Sequence, residues 1–482
     1  MKPPPSLTLP LLLLFLIFRS PNLASAASCH PDDEAGLLGF KSAITADPSG
    51  ILASWKPGTD CCAWHGVTCL SDDRVTSVWV SGDPDRPAAY LSGTISPSLS
   101  KLQDLDGIYL LDLRNISGRF PDLLFRLPKL KFVYIENNKL SGQLPAAIGK
   151  LAGVQALSLE GNEFTGPIPG SISELTQLTQ LKLGGNSLSG AIPDGIRRLK
   201  NLTVLSLARN RLTGPVPDYL GSLPYLRILR LSNNKLSGEI PATVSGLAPT
   251  LAYLELGHNA LTGQIPDFFG NFRALDTLDL SSNQFHGVVP KSFANLTKIF
   301  NLDLSRNVLV DPFPQMYVKG IESLDLSHNL FKLGQIPSWV TSSPIIYSLK
   351  LAKCGIKMRM EDWKPKETYF YDYIDLSENQ ISGSPAGLLN RTEFLVGFGA
   401  AGNKLRFDMG ALRIPKTMKQ LDVSRNLVYG QVPEAVSSLE SLNVSYNHLC
   451  GKIPDAAGKK FAATSFAGND CLCGPPLGPC KG

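Results

Sequence analysis

The sequence predicts an α/β solenoid. In this reading a right-handed coil lines its concave face with a curved parallel sheet. Turns and short 3-10 helices form the convex face, and disulfide caps close both ends. Three observations predict it. Asparagine recurs at Asn138, Asn162, Asn186, Asn210, Asn234, Asn259, Asn283 and Asn307, every 24 residues and once 25. Each stands in the same apolar pattern, such as Leu178-x-x-Leu181-x-Leu183-x-x-Asn186-x-Leu188-x-Gly190-x-Ile192-Pro193. Eight of the nine cysteines cluster at the ends: Cys29, Cys61, Cys62 and Cys69, then Cys450, Cys471, Cys473 and Cys480.

A fixed period with this wording is that of a leucine-rich repeat. The leucines point inward and stack into a continuous core. The short L-x-L segment is extended and pairs in parallel with its neighbours. Asparagine carries two donors and an acceptor. Buried at the turn, it satisfies backbone groups that are costly to bury alone. Proline in Gly-x-Ile-Pro removes a donor and bends the chain away from the strand. About fourteen or fifteen coils, stacked at ~4.8 Å, give a body roughly 70 Å long.

The chain divides into four segments. Residues 1–26 read as a signal peptide: Lys2, an apolar run from Leu7 to Phe18, then Ala24-Ser25-Ala26 before the cleavage point. The run is short for a membrane span, which needs roughly 20 residues. Residues 27–70 form an N-terminal cysteine cap, 71–449 the repeats and 450–482 a C-terminal cysteine cap. No later segment offers a long apolar run, so no membrane span is expected. Open solenoid ends need capping, and small caps use disulfides in an oxidising compartment. The formal charge is +5, or +3 without Lys2 and Arg19. This weak, scattered charge excludes nucleic acid as a partner.

In the first cap, Asp32 to Ile44 reads as an amphipathic helix behind Pro31, with Leu37, Leu38, Phe40 and Ile44 apolar. Trp55 and Trp64 are expected to pack over the first repeat. Val75-x-x-Val78-x-Val80 reads as the first repeat strand. Gly82 to Pro87 is an inserted loop. The next coil is degenerate, with Arg114 near the asparagine slot. Beyond Asn307 the slots continue at Asn329, Asn379, Asn403, Asn426 and Asn447. Cys354 falls midway between Asn329 and Asn379. The pattern permits cysteine there, so Cys354 is expected to be a buried free thiol.

The wording Leu-Ser-Gly-x-Ile-Pro, at Leu188–Pro193 and Leu236–Pro241, resembles plant-specific leucine-rich repeats. The first cap matches that group in Leu37-Leu38-x-Phe40-Lys41, Leu52-x-Ser54-Trp55 and Asp60-Cys61-Cys62-x-Trp64-x-Gly66-Val67-x-Cys69. The last cap, Cys471-Leu472-Cys473-Gly474-x-Pro476-Leu477-x-x-Cys480, is similar to that of polygalacturonase-inhibiting proteins. Receptor ectodomains share these caps, although this sequence contains no kinase domain. The resemblance implies the disulfides Cys29–Cys61, Cys62–Cys69, Cys450–Cys471 and Cys473–Cys480. It also implies a secreted protein of the extracellular space or cell wall.

A binding surface is expected where strand residues between the inward leucines face the concave side. The varied early coils supply Tyr134, Ser158, Lys182, Ser206, Arg230 and Glu255. Glu136 and Glu160 stand two places before the asparagine, and Arg209 and His258 one place before it. The later run Asp279, Asp303, Asp325 comes from the frequent Leu-Asp-Leu-Ser wording and reads as a solvated consensus face. The irregular unit Ile356 to Tyr373 carries Lys357, Arg359, Trp363, Lys364, Lys366, Tyr369, Phe370 and Tyr371. It reads as a bulkier convex loop packing its own aromatics, or as a partner contact. Glycans are expected at Asn115, Asn201, Asn295, Asn390 and Asn443. No motif for a nucleophile, metal, phosphate or cofactor is present.

The expected function is therefore non-enzymatic: binding of an extracellular protein or peptide in the plant cell-wall space, in defence or developmental signalling. Partners of the expected kinds include a microbial wall-degrading enzyme and a receptor kinase ectodomain. The alternatives are inhibition of a microbial polygalacturonase and a purely structural wall protein.

Overall fold

The computed structural model describes residues 29–70 and 73–480. The expected leader lies outside them. Sixteen parallel strands follow one another from Val75–Ser81 to Ser441–Asn443, slightly more than the fourteen or fifteen coils expected. Val67–Cys69 adds one antiparallel strand at the N-terminal edge. The register keeps the repeat in phase: Leu181 pairs Leu157 and Leu205, and Leu229 pairs Leu254. These leucines are buried in one core that runs the length of the stack.

The asparagines form a ladder. Asn210 Nδ2 donates to the Leu183 carbonyl of the previous coil at 3.0 Å and to Leu207 of its own coil at 3.1 Å. Its Oδ1 accepts from the Leu188 N–H at 2.9 Å. Each rung thus satisfies buried backbone groups on two coils, which backbone pairing alone leaves open. In the degenerate coil the slot belongs to Leu113, not Arg114. Leu111 pairs Glu136, so Leu113 is level with Asn138, and Leu113 is buried. The Asn115 N–H, which would be the donor to Asn138 Oδ1, is bonded to the Leu113 carbonyl at 2.7 Å, and Asn138 Oδ1 has no partner.

Cys354 fills its slot as a buried free thiol. Its Sγ lies 3.4 Å from the Leu326 carbonyl, and its N–H donates to Asn379 at 3.1 Å. Burial pushes the thiol pKa up. The ladder runs one rung further than expected. Asn469, inside the C-terminal cap, accepts from the Leu449 N–H and donates to the carbonyls of Val444 and Phe466.

One further feature was not expected, and it leads into the short 3-10 helices that were. The x-Leu-Ser-Gly segments pair into a second sheet of nine strands, from Ile44–Ala46 to Ala260–Leu261. The proline of Ile-Pro stands at the N-cap of such a 3-10 helix, as Pro193 does for Asp194–Arg198 and Pro241 for Ala242–Leu247, and at Pro337 and Pro454 it caps the short α-helices Ser338–Ser342 and Asp455–Lys460. Its fixed φ suits that position, and its missing N–H costs no hydrogen bond there.

The caps close the core. The first helix spans Pro31–Ser42, shorter than expected because Ile44–Ala46 turns into an edge strand against Leu91–Thr94. Trp55 and Trp64 stack at 5.7 Å and are buried. Arg74 grips the fully buried Asp33 with two hydrogen bonds of 2.8 Å, and the Val75 N–H adds a third at 2.9 Å. Cys29 is joined to Cys61, Cys62 to Cys69, Cys450 to Cys471 and Cys473 to Cys480. No helix among the described residues is long and apolar enough to cross a membrane.

Candidate functional site

Alternate residues of each strand face the concave side. Register therefore turns the middle residue of every coil into a column. Tyr134 pairs Ser158, then Lys182, Ser206, Arg230 and Glu255 follow in order. Lys182 reaches back until its ammonium is 5.8 Å from the Tyr134 ring centre, which leaves Ser158 buried beneath. Ser206 is also buried, and its hydroxyl donates to Glu160 Oε1 at 2.5 Å. Arg230 and Glu255 form an ion pair at 2.9 Å.

The expected residues fall into two groups. Glu160, Ser206, Arg209, Arg230 and Glu255 line one depression of about 400 Å³, floored by Gly161, Gly184, Gly185 and Ala208. Arg209 and His258 sit on the turn beyond the strand, with φ of +55° and +56°. His258 belongs instead to a second depression of about 590 Å³, with Asp303, Asp325, Arg306, His328 and Lys350. Glu136 ends the strand Phe132–Glu136.

The acidic column is structural in one clear respect. Asp279, Asp303 and Asp325 each accept the N–H two residues on, from Ser281, Ser305 and Ser327, at 2.9 Å. They are partly desolvated, and burial is the main cause that raises all three carboxyl pKa values. Asn443 occupies the same column and accepts the same bond from Ser445 at 3.2 Å.

Sequence reasoning named Tyr134 but missed the two aromatics, Trp79 and Tyr109, that stack with it on this face. Trp79, Tyr109 and Tyr134 stand in register in the first three coils. Their rings stack at 4.7 Å and 5.3 Å. Beside them runs a second, largely apolar column: Phe132, the buried Ala156, then Gln180, Val204, Ile228 and Tyr253, all half-buried but Ala156. The signal was an aromatic residue in the middle of Val78-Trp79-Val80 and Ile108-Tyr109-Leu110. The equivalent positions of later coils hold Thr277, Asn301, Ser323 and Ser348. Apolar and aromatic groups thus dominate this column in the early coils, and among the later coils it regains an aromatic at Tyr373, whose ring centre lies 5.9 Å from the Lys350 ammonium.

In the irregular unit, Trp363 and Tyr371 pack inside at 5.9 Å. Tyr369 is 55% exposed and meets Phe394 at 4.6 Å. Lys357, Arg359, Lys364 and Lys366 are exposed. Of the sequon asparagines, Asn201, Asn295 and Asn390 are exposed, while Asn115 and Asn443 are half-buried. The Asn443 amide also donates to Asp422 at 3.3 Å.

Residues 30–70 match the leucine rich repeat N-terminal domain, 92–239 a leucine-rich repeat region, and 249–309 and 438–459 leucine rich repeats. The DNA damage-repair/toleration protein DRT100 of Arabidopsis thaliana is 34% identical over 137 residues, 27% of this chain and 37% of that protein. A polygalacturonase inhibitor of Vitis vinifera is 35% identical over 123 residues, 25% of this chain and 34% of that one. The chain thus spans about a third of the length of these curated relatives. Among solved structures, the PEPR1–AtPEP1 complex superposes with a TM-score of 0.62 at 25% identity, covering 92% of this chain and 75% of that one. The Arabidopsis receptor kinase HAESA, in complex with the peptide hormone IDA and the co-receptor SERK1, shares the fold with a TM-score of 0.56 at 24% identity. That match covers 94% of this chain and 100% of that one. The stacked parallel strands, the asparagine ladder and the matched segments place this chain in the leucine-rich repeat family, with the family's N-terminal cap.

Proposed function

We propose that this chain is a secreted, non-enzymatic leucine-rich repeat protein. It binds a protein or peptide on the concave face of its N-terminal coils, in the plant cell-wall space, in defence or developmental signalling. The observation that carries this reading is the contrast along the concave face. Later coils mostly repeat Asp in one structural role, at Asp279, Asp303, Asp325, Asp375 and Asp422, with Lys350 and Tyr373 as the exceptions, whereas coils from Trp79 to Glu255 vary from one to the next and present aromatic, aliphatic and charged groups. An apolar centre with a polar rim is the composition of a protein-binding patch. The disulfide caps support an oxidising compartment. The exposed Asn201, Asn295 and Asn390 are the sequons this reading expects to carry glycans, and their exposure supports it. Capture from plant wall extracts tests the reading when run in parallel with the Lys182→Glu, Arg230→Glu double variant. A partner retained by the native protein and lost by the variant supports it. A partner retained equally by both refutes it.

A second reading has its own support. Relatives named polygalacturonase inhibitor occur in Vitis vinifera, Pyrus communis and Phaseolus vulgaris, at 35%, 36% and 35% identity over parts of this chain. An activity assay against a panel of fungal polygalacturonases separates the two. Slowed hydrolysis identifies the partner as such an enzyme. Unchanged rates remove the inhibitor reading and leave other protein partners.

A further inference from the structure

We propose that Trp79, Tyr109 and Tyr134 form a preassembled anchor for an extended protein segment of defined chemistry. That segment sets an aromatic or aliphatic side chain on Trp79 and a carboxylate at Lys182. The inference deepens the proposed function and rests on the concave face being the binding surface.

The column is rigid before any ligand arrives. Each ring is stacked on the next, at 4.7 Å and 5.3 Å. Gly107 makes room for this, since a Cβ there would lie 2.8 Å from the Tyr109 ring. Aromatic side chains ordered in advance lose little entropy on binding and bury large apolar areas.

One end of the column is open. Gly66 lies beside Trp79 and accepts its N–H through the carbonyl at 2.6 Å. It has no side chain to cover the indole, and Trp79 is 51% exposed. The opening is fixed by the backbone. Gly66 has φ of +79°, and a Cβ there would collide with the Trp79 carbonyl. The neighbouring position therefore stays bare, and an incoming apolar group can take the place of a further ring.

The other end is charged and unmatched. The Lys182 ammonium rests 5.8 Å from the Tyr134 ring centre. Glu160, on the preceding coil, is engaged by Ser206, and Glu136, at the end of the Tyr134 strand, forms no ion pair with Lys182 among the described residues. A ligand carboxylate would complete this site by charge complementarity. The successive spacings of 4.7, 5.3 and 5.8 Å from Trp79 to the ammonium, with one further stacking step of ~5 Å for the incoming group, correspond to about six extended residues at ~3.3 Å each. The partner segment therefore runs along the column, with its acid about six positions from its anchor.

A displayed library of random 12-residue peptides, selected on the full-length mature protein, tests this. The expected consensus pairs an aromatic or large aliphatic residue with Asp or Glu at that separation. Selected peptides should bind Trp79→Ala and Lys182→Glu each about 30-fold more weakly, the loss of one interface hot spot. Trp79→Phe should recover most of the affinity. Both positions are on the surface, and circular dichroism with a thermal melt confirms that the variants fold. A library that yields no consensus overturns the inference. So does a consensus bound equally by Trp79→Ala, and so does Trp79-dependent binding of neutral wall oligosaccharides in its place. If the selected peptides depend on Arg230 but not Trp79, the concave-face reading stands and the anchor falls. If neither Trp79, Lys182 nor Arg230 matters, both fall.

Discussion

Glu160 accepts a hydrogen bond from the Ser206 hydroxyl at 2.5 Å, although a complete coil lies between them. The reach depends on Gly184 in that coil, where a Cβ would come within 2.8 Å of Glu160 Oε1. The bond fixes one charge on the wall of the depression in the concave face. Ser206→Ala should free the carboxylate and cost about 1 kcal/mol, the usual net value of one hydrogen bond. Urea denaturation of the variant checks this, and an unchanged midpoint would show that the bond carries no stability.

The asparagine ladder should dominate the response to single substitutions. Asn210→Ala removes the amide donations to the Leu183, Leu207 and Ala208 carbonyls and leaves the buried Leu188 N–H unpaired, while the Leu183 carbonyl keeps only its bond from Asn186. The expected loss is about 3 kcal/mol or more. Cys354→Ala removes only long thiol contacts of 3.4 and 3.6 Å and should cost about 1 kcal/mol. Equal midpoints in denaturant for the two variants would contradict the role given to the amide.

These rungs also show how far the sequence could be read. The asparagine pitch, the inward leucines and Cys354 were legible because each obeys the local period. Asn469 was missed because the cap lacks the leucine pattern that announces a rung. The aromatic column was missed because the loop from Gly82 to Pro87 breaks the spacing between Trp79 and Tyr109, so their common register emerges only from strand pairing. The Asp33–Arg74 pair and the Glu160–Ser206 bond join residues that no period connects. Arg114 was placed one residue off because the slot in that coil holds an apolar Leu113.

Asp33 is a buried carboxylate held by a bidentate partner, so removing that partner leaves an uncompensated charge. Arg74→Ala should destabilise the N-terminal cap by about 3 kcal/mol or more. Hydrogen exchange should report the loss first in Pro31–Ser42 and Val75–Ser81. Uniform loosening of the whole solenoid would contradict the assignment to the cap.

The acidic column predicts a pH signature. Burial raises the carboxyl pKa of Asp303 in the folded chain. The charged form is therefore destabilising above that pKa, and the penalty vanishes below the unfolded value. Asparagine keeps the turn bond, as Asn443 does with Ser445. Asp303→Asn should raise the melting temperature at pH 7, and the gain should shrink as the pH falls toward 4. A gain that is constant with pH would show that desolvation is not its source.

Turn strain offers a further check. Arg306 adopts φ of +54°, a region that disfavours side chains with a Cβ by roughly 1 kcal/mol. Arg306→Gly should be neutral or stabilising, in contrast to glycine placed within a strand. A clear loss of stability would mean that the guanidinium contributes more than the strain costs.

The central claim is that the N-terminal concave face recognises a protein. Its most direct test is the affinity of the captured partner for the Lys182→Glu, Arg230→Glu protein, set against a control with Lys150→Glu. Lys150 is exposed at the end of the 3-10 helix Ala146–Lys150, off the strands. Reversal on the concave face should weaken binding by about 100-fold or more, since buried unpaired interface charges cost several kcal/mol, and the control should change it less than about threefold. Equal effects from the two proteins would place the binding site elsewhere.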